Sequence, residues 1–239
     1  MQQTPTYRMR LIENIQITDP ACEDVVVKLT FESIDQKPVR PFTTGQFVVM
    51  GIPDVKNPPP AYFAIASAPQ ETDYYEFVVK RGAAMADHLA ELTPGAEVQV
   101  EGPMGKGFDL SPFKGNHIIL MGVGTGISPL RSVWRSIIDK REDFGSVTIY
   151  AGFLTPLHQL LTDEMASLSD HGIEVKVSLD TGDETWDGPI GYVQDALLED
   201  HPDSQNSVVC LAGMSAMVDA CKETLHNLGF DDSRILLNF

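Results

Sequence analysis

The chain has 239 residues, 43% of them hydrophobic, and its 34 acidic side chains exceed the 17 basic ones, which gives a net charge of −17. This charge disfavours binding to nucleic acid and to anionic lipid surfaces, because both repel a polyanion. We find no apolar run of the roughly 18 residues that cross a membrane, and the first residues lack the order of a secretion signal. We therefore expect a soluble, cytoplasmic protein without membrane insertion.

Cysteine and histidine are too scattered for a metal centre. Cys22, Cys210 and Cys221 form no CxxC motif and show no zinc-like spacing. No two of the six histidines stand four residues apart. An odd number of unpaired cysteines fits a reducing compartment, and we expect neither a metal ion nor an iron–sulfur cluster.

Residues 7 to 110 are predicted to form mainly β-strands. Short apolar or alternating segments separated by turn signals are typical of strands, and here they read EDVVVKLTFES, GQFVVMGI, DYYEFVVKR and AEVQVEGP. In one segment between them, Met85, Leu89 and Leu92 recur at helical spacing. The pattern favours a small antiparallel β-barrel, which we assign to residues 1–112.

The pattern changes after residue 112. The apolar strands HIILMG, SVTIYAG, IEVKVSLD and SVVCLAG now alternate with the helical segments SPLRSVWRSIIDK, QLLTDEMASLSD, YVQDALLED and AMVDACKETLHNLG. Buried strands that alternate with helices indicate a parallel sheet covered on both faces. We assign residues 113–239 to this doubly wound α/β domain, so the predicted fold is a barrel followed by an α/β domain.

A glycine-rich loop, GVGTGISPL, joins the first predicted parallel strand to the first helix. Gly122, Gly124 and Gly126 alternate with other residues, among them Thr125. The missing side chains would let a pyrophosphate approach the backbone, and the amides of the following helix would face it. The spacing differs from the GxGxxG dinucleotide fingerprint. From the loop alone, phosphate binding and a purely structural turn are equally open.

The loop and its surroundings together resemble the ferredoxin–NADP reductase family, in which a flavin-binding barrel precedes an NAD(P)-binding domain. TGQFVVM resembles an early barrel strand, AYFAIASAP the flavin segment, and GAAMADHLAELTPGAEVQVEGPMGKGF the pyrophosphate helix and following strand. YAGFLTPLHQLLTDEM and AGMSAM resemble later parts of the nucleotide domain. The resemblance covers nearly the whole chain and implies that it binds FAD and a nicotinamide dinucleotide.

The flavin segment keeps the family's aromatic residue but not its polar ones. The resemblance places Phe63 against one face of the flavin, with Ala64 and Ile65 beside it. The family's arginine, which grips the FAD pyrophosphate, is replaced by Ala61, and the hydroxyl near the reactive nitrogen is replaced by Ala64. Phe63 could instead belong only to the barrel core.

The pyrophosphate segment shows a similar loss. The family's phosphate-binding serine is replaced by an alanine, yet a helix N-terminus can hold an anion through its main-chain amides. Lys80 and Arg81 could supply a substitute charge or could be solvated strand-end residues. The cofactor contacts implied by the resemblance are at Val79, Lys80, Ala84, Met85 and Ala86.

The nicotinamide side of the second domain departs from the family as well. The family's Cys-Gly-Pro becomes Ala-Gly-Met, which leaves Gly213 and Met214 as candidate contacts. Cys210 lies two residues earlier on the same predicted strand face and either points the same way or is buried. Asn238 replaces the usual acidic residue near the end, and Phe239 either shields the flavin or anchors the last strand.

The segment after the third predicted parallel strand bears on the choice of nucleotide. VSLDTGDETWDG offers four carboxylates and no basic residue. A carboxylate accepts a hydrogen bond from a ribose 2′-hydroxyl but repels a 2′-phosphate. Asp180 is our candidate for this role, although an exposed loop aspartate without a ligand would look the same. We expect NADH to be preferred over NADPH.

We therefore predict an FAD-dependent oxidoreductase that takes hydride from NADH (or NADPH) and passes electrons to an unidentified acceptor. The net charge argues against an acidic ferredoxin as that acceptor, because complementary fields steer such encounters. The missing polar residues leave one alternative open. In it the chain is a nucleotide-binding or regulatory subunit that kept the reductase fold but lost efficient flavin catalysis.

Overall fold

The computed structural model describes residues 6–34 and 38–238, and its first half is a six-stranded antiparallel sheet in the order β4-β3-β6-β1-β2-β5. Alternation in the sequence produces these strands. In β1, for example, Tyr7, Met9 and Leu11 are buried and the residues between them are exposed. The strands are β1 Thr6–Gln16, β2 Val26–Ser33, β3 Phe47–Gly51, β4 Ala61–Ala64, β5 Tyr74–Lys80 and β6 Glu97–Met104.

The two edge strands of this sheet meet just beyond the end of β4, which gives the sheet its barrel-like form. The Ala66 amide donates to the Glu76 carbonyl oxygen at 2.8 Å. Helix α1 (Ala84–Ala90) packs Met85 and Leu89 into the barrel core. The predicted barrel-like domain with one short helix is therefore confirmed.

The second half is a five-stranded parallel sheet in the order β11-β10-β7-β8-β9. Its strands read as continuous apolar runs because helices cover both faces of the sheet, and all six residues of β10 are buried. The predicted parallel sheet is confirmed. Its strands are β7 His117–Val123, β8 Val147–Phe153, β9 Ile173–Leu179, β10 Ser207–Ala212 and β11 Ile235–Leu237.

One helix of this half is shorter than its sequence pattern predicts. The segment QLLTDEMASLSD reads as helical from residue 159, but Leu161 has a φ of +57°, a left-handed conformation that bulky L-residues rarely adopt. The preceding Leu160 is 1% exposed, so the chain turns here to bury Leu160 and the helix begins only afterwards. The helices are α2 Ile127–Ile138, α3 Thr162–Ser167, α4 Val193–Asp200 and α5 Ser215–Asn227.

The two halves share one apolar core where they meet. Ala66 and Phe108 of the first half lie in the same buried cluster as Trp134 of α2. A 3₁₀ turn at Ser111–Phe113 connects β6 to β7, and the domain boundary after residue 112 stays a prediction.

Within the described residues, no helix is both long enough and apolar enough to cross a membrane. In the same ranges, no group of three or more His, Cys, Asp or Glu side chains is arranged to hold a metal ion. All three cysteines are buried and form no disulfide.

Candidate functional site

A cleft of about 790 Å³ opens at the carboxyl ends of the parallel strands, where they face the barrel. The residues that directly follow β7, β8, β9 and β10 form one wall, and Lys80 at the end of β5 lies on the other. Open α/β sheets bind ligands at this edge, and the volume suits a small-molecule site. The four strand-end residues are Gly124, Leu154, Asp180 and Gly213.

The three glycines of the loop are required for different reasons. A Cβ at Gly122 would lie 2.7 Å from Leu130 Cδ1, and a Cβ at Gly126 would lie 2.7 Å from the Ala212 carbonyl oxygen. The contact at Gly126 is with main chain and demands a glycine, whereas the one at Gly122 is with the end of a side chain, backed by the Ala212 carbonyl oxygen at 3.1 Å. Gly124 has a φ of +51°, and a Cβ there would meet nothing within 4 Å. The loop is thus a tight structural turn that also presents open backbone to the cleft at Gly124.

The structure brings about half of the predicted cofactor-binding residues to this cleft. Those that line it are Lys80, Gly124, Thr125, Gly126, Asp180, Gly213 and Met214. Ile65 and Val79 are buried in the barrel core, so only their main-chain atoms could reach a cofactor. Phe239 lies outside the described residues. The other described residues, which do not line the cleft, are Phe63, Ala64, Ile65, Val79, Ala84, Met85, Ala86 and Gly122.

Strand β4 exposes a different aromatic residue from the one predicted to face the flavin. Phe63 is half-buried and packs against the barrel core, as does Ala61. Tyr62 is 72% exposed, and its ring contacts the edge of Phe47 with the centroids 5.5 Å apart. Phe63 therefore contributes to the core, and its predicted flavin contact is limited to the exposed part of the ring.

The two cations before α1 have different partners. Arg81 pairs with two carboxylates of the α1 segment, at 3.4 Å from Asp87 and 2.8 Å from Glu91. Asp87 also accepts a hydrogen bond from the Gly82 amide at 2.9 Å, which places negative charge at the helix start. Arg81 is thereby held on the surface of α1, whereas Lys80 lines the cleft.

Lys80 belongs to a polar cluster on the cleft wall. Its Nζ lies 2.6 Å from Asp24 Oδ2, and His158 Nε2 lies 3.5 Å from the same oxygen. A 2.7 Å hydrogen bond joins His158 Nδ1 to Thr155 Oγ1. The hydrogen bond from Lys80 is the main reason why the pKa of Asp24 lies below its usual value. Asp24 is therefore ionised near neutral pH, and an anionic ligand at Lys80 must compete with it.

The rim of the cleft after β9 is acidic and exposed. The Asp180 amide donates to the Phe153 carbonyl oxygen at 2.9 Å, and the Asp180 side chain faces solvent at the cleft. Between residues 177 and 200 the chain has no lysine or arginine. Leu154 and Tyr192, which are 49% and 62% exposed, line the same cleft. A ribose 2′-hydroxyl would find an acceptor here, and a 2′-phosphate would be repelled.

Cys210 does not reach the cleft. Its side chain is 0% exposed in the core of the second half, and burial raises the pKa of its thiol. The side chain exposed at this corner is Met214, at 72%. Asn238 also lines the cleft, and its Nδ2 donates to the Gly45 carbonyl oxygen of the first half at 3.1 Å. Of the two alternatives for Cys210, the buried one is therefore correct.

Sequence reasoning missed two residues of the Lys80 cluster. His158 follows the second parallel strand, at the edge of the sheet where ligands bind, and this position was a usable signal. Asp24 precedes β2, and nothing in its local sequence distinguishes it from other surface acids. Only the approach of the two halves brings Asp24 next to His158.

Two domain models match the chain in the predicted order. The oxidoreductase FAD-binding domain matches residues 15–108, and the oxidoreductase NAD-binding domain matches residues 120–223. Among curated relatives, sulfhydrogenase 1 subunit gamma of Pyrococcus furiosus is 26% identical over 97% of this chain and 78% of its own length. NADH-cytochrome b5 reductase 1 of Eremothecium gossypii is 28% identical over 80% of this chain and 69% of its own.

A solved structure gives the same result for the fold. The ferredoxin NADP+ reductase from Neisseria gonorrhoeae with bound FAD and NADP aligns with a TM-score of 0.78 at 18% identity, over 97% of each chain. The two matched domains, their order and the arrangement of both sheets agree with the resemblance seen in the sequence. This chain belongs to the ferredoxin–NADP reductase family, whose members are oxidoreductases with an FAD-binding domain and an NAD-binding domain.

Proposed function

We propose that this chain takes hydride from NADH onto FAD and passes the electrons to an acceptor other than an acidic ferredoxin. The observation that carries the proposal is the cleft, in which the open backbone at Gly124 faces Lys80 of the barrel. A dinucleotide placed there would touch both halves of the chain. FAD, when bound, accepts hydride and can release single electrons, and the protein supplies placement and electrostatics.

The barrel offers FAD mainly main-chain contacts. The first amides of a helix have no partner within it, and those at the start of α1 would bind a pyrophosphate in competition with Asp87, whose carboxylate already accepts from the Gly82 amide. Lys80 is the cation best placed to add charge, because it lines the cleft in spite of its pairing with Asp24, whereas Arg81 is held on α1 by Asp87 and Glu91. The exposed part of Phe63 would lie against the ring. These residues fit FAD, but with fewer charged contacts than an arginine in place of Ala61 would give.

The acidic rim supports NADH as the electron donor. Asp180 follows β9 and is exposed at the cleft, and no basic residue stands near it in the loop that follows. A 2′-phosphate would therefore bring negative charge next to a carboxylate without a compensating cation. The relative from Eremothecium gossypii carries NADH in its name, which agrees with this proposal.

The acceptor we propose is a small molecule, such as a free flavin or a quinone, or a protein that is not strongly acidic. With a net charge of −17, long-range attraction cannot steer an acidic ferredoxin to this chain. Association with such a ferredoxin that is fast at low salt and slows as salt rises would contradict this part of the proposal.

An absorption spectrum tests the central proposal. The purified protein incubated with FAD, then freed of unbound cofactor, should be yellow, and NADH should bleach it under anaerobic conditions. Gly115→Ala is a suitable control, because the residue does not line the cleft and its φ of +80° makes the variant report the effect of lowered stability alone. A yellow protein that NADH leaves oxidised would contradict the proposal.

A nucleotide-binding or regulatory subunit is the second candidate function. It is favoured by Ala61, Ala64 and Ala86, which stand where the family carries polar cofactor contacts. The relative from Pyrococcus furiosus is named as a subunit. A protein that stays colourless with FAD but still binds NADH in a calorimetric titration would support this second function.

A further inference from the structure

A buried arginine joins the two halves of the chain. Arg131 stands on α2, five residues after Gly126, and is 1% exposed. Its Nη1 donates to the Ala66 carbonyl oxygen at 3.1 Å and to Glu76 Oε2 at 2.7 Å, both in the first half. Its Nε donates to the two carboxylate oxygens of Glu164 on α3 at 3.0 and 2.9 Å. One guanidinium therefore connects α2 to the barrel and to α3.

The two carboxylates around Arg131 are themselves held in place. Trp134 Nε1 donates to Glu164 Oε1 at 2.8 Å, and Lys28 Nζ lies 3.2 Å from Glu76 Oε1. Burial alone would raise the pKa of Glu76, but the charges of Arg131 and Lys28 more than offset it, so the pKa is lowered. A buried ion network adds little net stability, because desolvation opposes the attraction. What such a network supplies here is a set of directional contacts at the junction.

The same helix also reaches the end of β4. Ser128 Oγ donates to the carbonyl oxygen of Ala64, the last residue of β4, at 3.3 Å. Ala66, which Arg131 contacts, lies two residues farther along the chain. Helix α2 begins directly after the glycine loop. Its first turns therefore link the nucleotide-side loop to the flavin segment of the barrel.

We propose that Arg131 is a positioning residue that sets the distance and orientation between a bound nicotinamide and the flavin segment. This inference rests on the proposed hydride transfer. Arg131 is not part of the cleft wall, so it acts through the Ala66 carbonyl, which it bonds directly, and through α2, whose Ser128 bonds the Ala64 carbonyl. Reacting atoms must approach to about 3–3.5 Å, and a misplacement of about 1 Å lowers a rate roughly a hundredfold.

The variant Arg131→Lys tests the proposal, because it keeps the buried charge but loses the planar fork that bonds three partners at once. Gln70→Ala is the matched control: Gln70 Nε2 crosses the same junction to Asp139 Oδ2 at 2.9 Å, but it is exposed and its described bonds are to residues 135 and 139. We would measure the FAD dissociation constant, the NADH dissociation constant, and the limiting rate of flavin reduction at saturating NADH.

A second measurement needs no cofactor. Spin labels at Thr93→Cys in the barrel and Glu223→Cys on α5, both exposed, report the distance between the two halves in FAD-free protein. We expect Arg131→Lys to broaden this distance distribution and to lower the limiting reduction rate at least tenfold, with both dissociation constants within threefold of the wild type. Gln70→Ala should leave all four quantities unchanged.

An unchanged limiting rate and an unchanged distance distribution in folded Arg131→Lys would overturn the inference, even if the variant melts at a lower temperature. If Arg131→Lys does not fold, Glu164→Gln weakens the ion pair that holds Arg131 Nε, and an unaltered reduction rate together with an unaltered distance distribution in that variant would overturn it instead. If the wild type takes up no FAD, the proposed function fails. The spin-label distances then still decide whether Arg131 sets the arrangement of the two halves.

Discussion

The glycine loop and the flavin segment lie on opposite sides of one junction, but they depend on the sequence in different ways. At the loop, Gly122 and Gly126 are fixed by contacts with Leu130 and the Ala212 carbonyl oxygen, and binding would use main-chain amides. At the flavin segment, the family relies on side chains that this chain lacks at Ala61 and Ala64. A binding site made of main-chain amides is kept as long as the fold is kept, because it does not depend on particular side chains.

The second domain brings more of its predicted ligand contacts to the cleft than the barrel does. The strand-end residues of a parallel sheet converge on one edge whatever their identity, and here they line the cleft. A flavin clamp needs positively charged groups, and among the described barrel residues Lys80 is the one cation on the cleft wall. We therefore expect substitutions in the glycine loop to weaken NADH binding by displacing main chain, and added charge in the barrel to strengthen FAD binding.

The largest effect should come from Gly126→Ala. The new Cβ would lie 2.7 Å from the Ala212 carbonyl oxygen and 3.0 Å from Gly213 Cα, so the loop must move. Overpacking of about 1–3 kcal/mol should weaken NADH binding roughly ten- to a hundredfold in a calorimetric titration. Gly115→Ala is the control, since its φ of +80° lowers stability without altering NADH affinity. Equal NADH affinity in Gly126→Ala would show that the loop is only structural.

On the flavin side, Ala61→Arg should strengthen FAD binding, because it restores a charged contact that the wild type lacks. A hydrogen bond to a charged group contributes about 1.5–3 kcal/mol, which corresponds to roughly ten- to a hundredfold tighter FAD binding. Tyr62→Arg is the control, because it adds the same charge one residue away, on the opposite face of β4. Fluorescence titration of FAD would measure both. Tight wild-type binding that Ala61→Arg does not change would mean that another group has replaced the clamp.

Asp180→Ser should relax the preference for NADH. Removing one charge near the 2′-position is worth about 1–2 kcal/mol at an exposed site, so the ratio of kcat/KM for NADPH over NADH should rise about tenfold. Asp183→Ser removes the same charge from the same loop, at a residue that does not line the cleft, and should leave the ratio near its wild-type value. A wild type that already prefers NADPH would contradict the assignment of Asp180.

The smallest effect should come from Lys80→Met. The Lys80 side chain is 44% exposed and already paired with Asp24, and partly exposed ion pairs contribute about 1 kcal/mol or less. We expect FAD affinity to fall about two- to fivefold, and less so at high salt. Arg81→Met should change it less, because Arg81 is engaged by Asp87 and Glu91. A larger loss in Arg81→Met than in Lys80→Met would reverse the roles of the two cations.

The sequence alone was sufficient for the order of the two domains, the type of most helices and strands and the position of the glycine loop. These features follow from patterns within one segment: short apolar or alternating runs in β2, β3, β5 and β6, continuous apolar runs in β7 and β10, and helical spacing in α1. The helix before Met165 was predicted too long, because the burial of Leu160 overrode a local helical pattern.

Only the tertiary structure decided which charges meet. Lys80 and Arg81 are neighbours in the sequence, yet Lys80 lies at the cleft beside Asp24, and Arg81 is turned toward α1. Arg131 looked like an ordinary helix residue until the fold brought Glu76 against it, 55 positions away. Sequence periodicity shows which face of a helix or strand is buried. Which distant side chains form ion pairs depends on how the whole chain folds, because only the fold brings the two segments together.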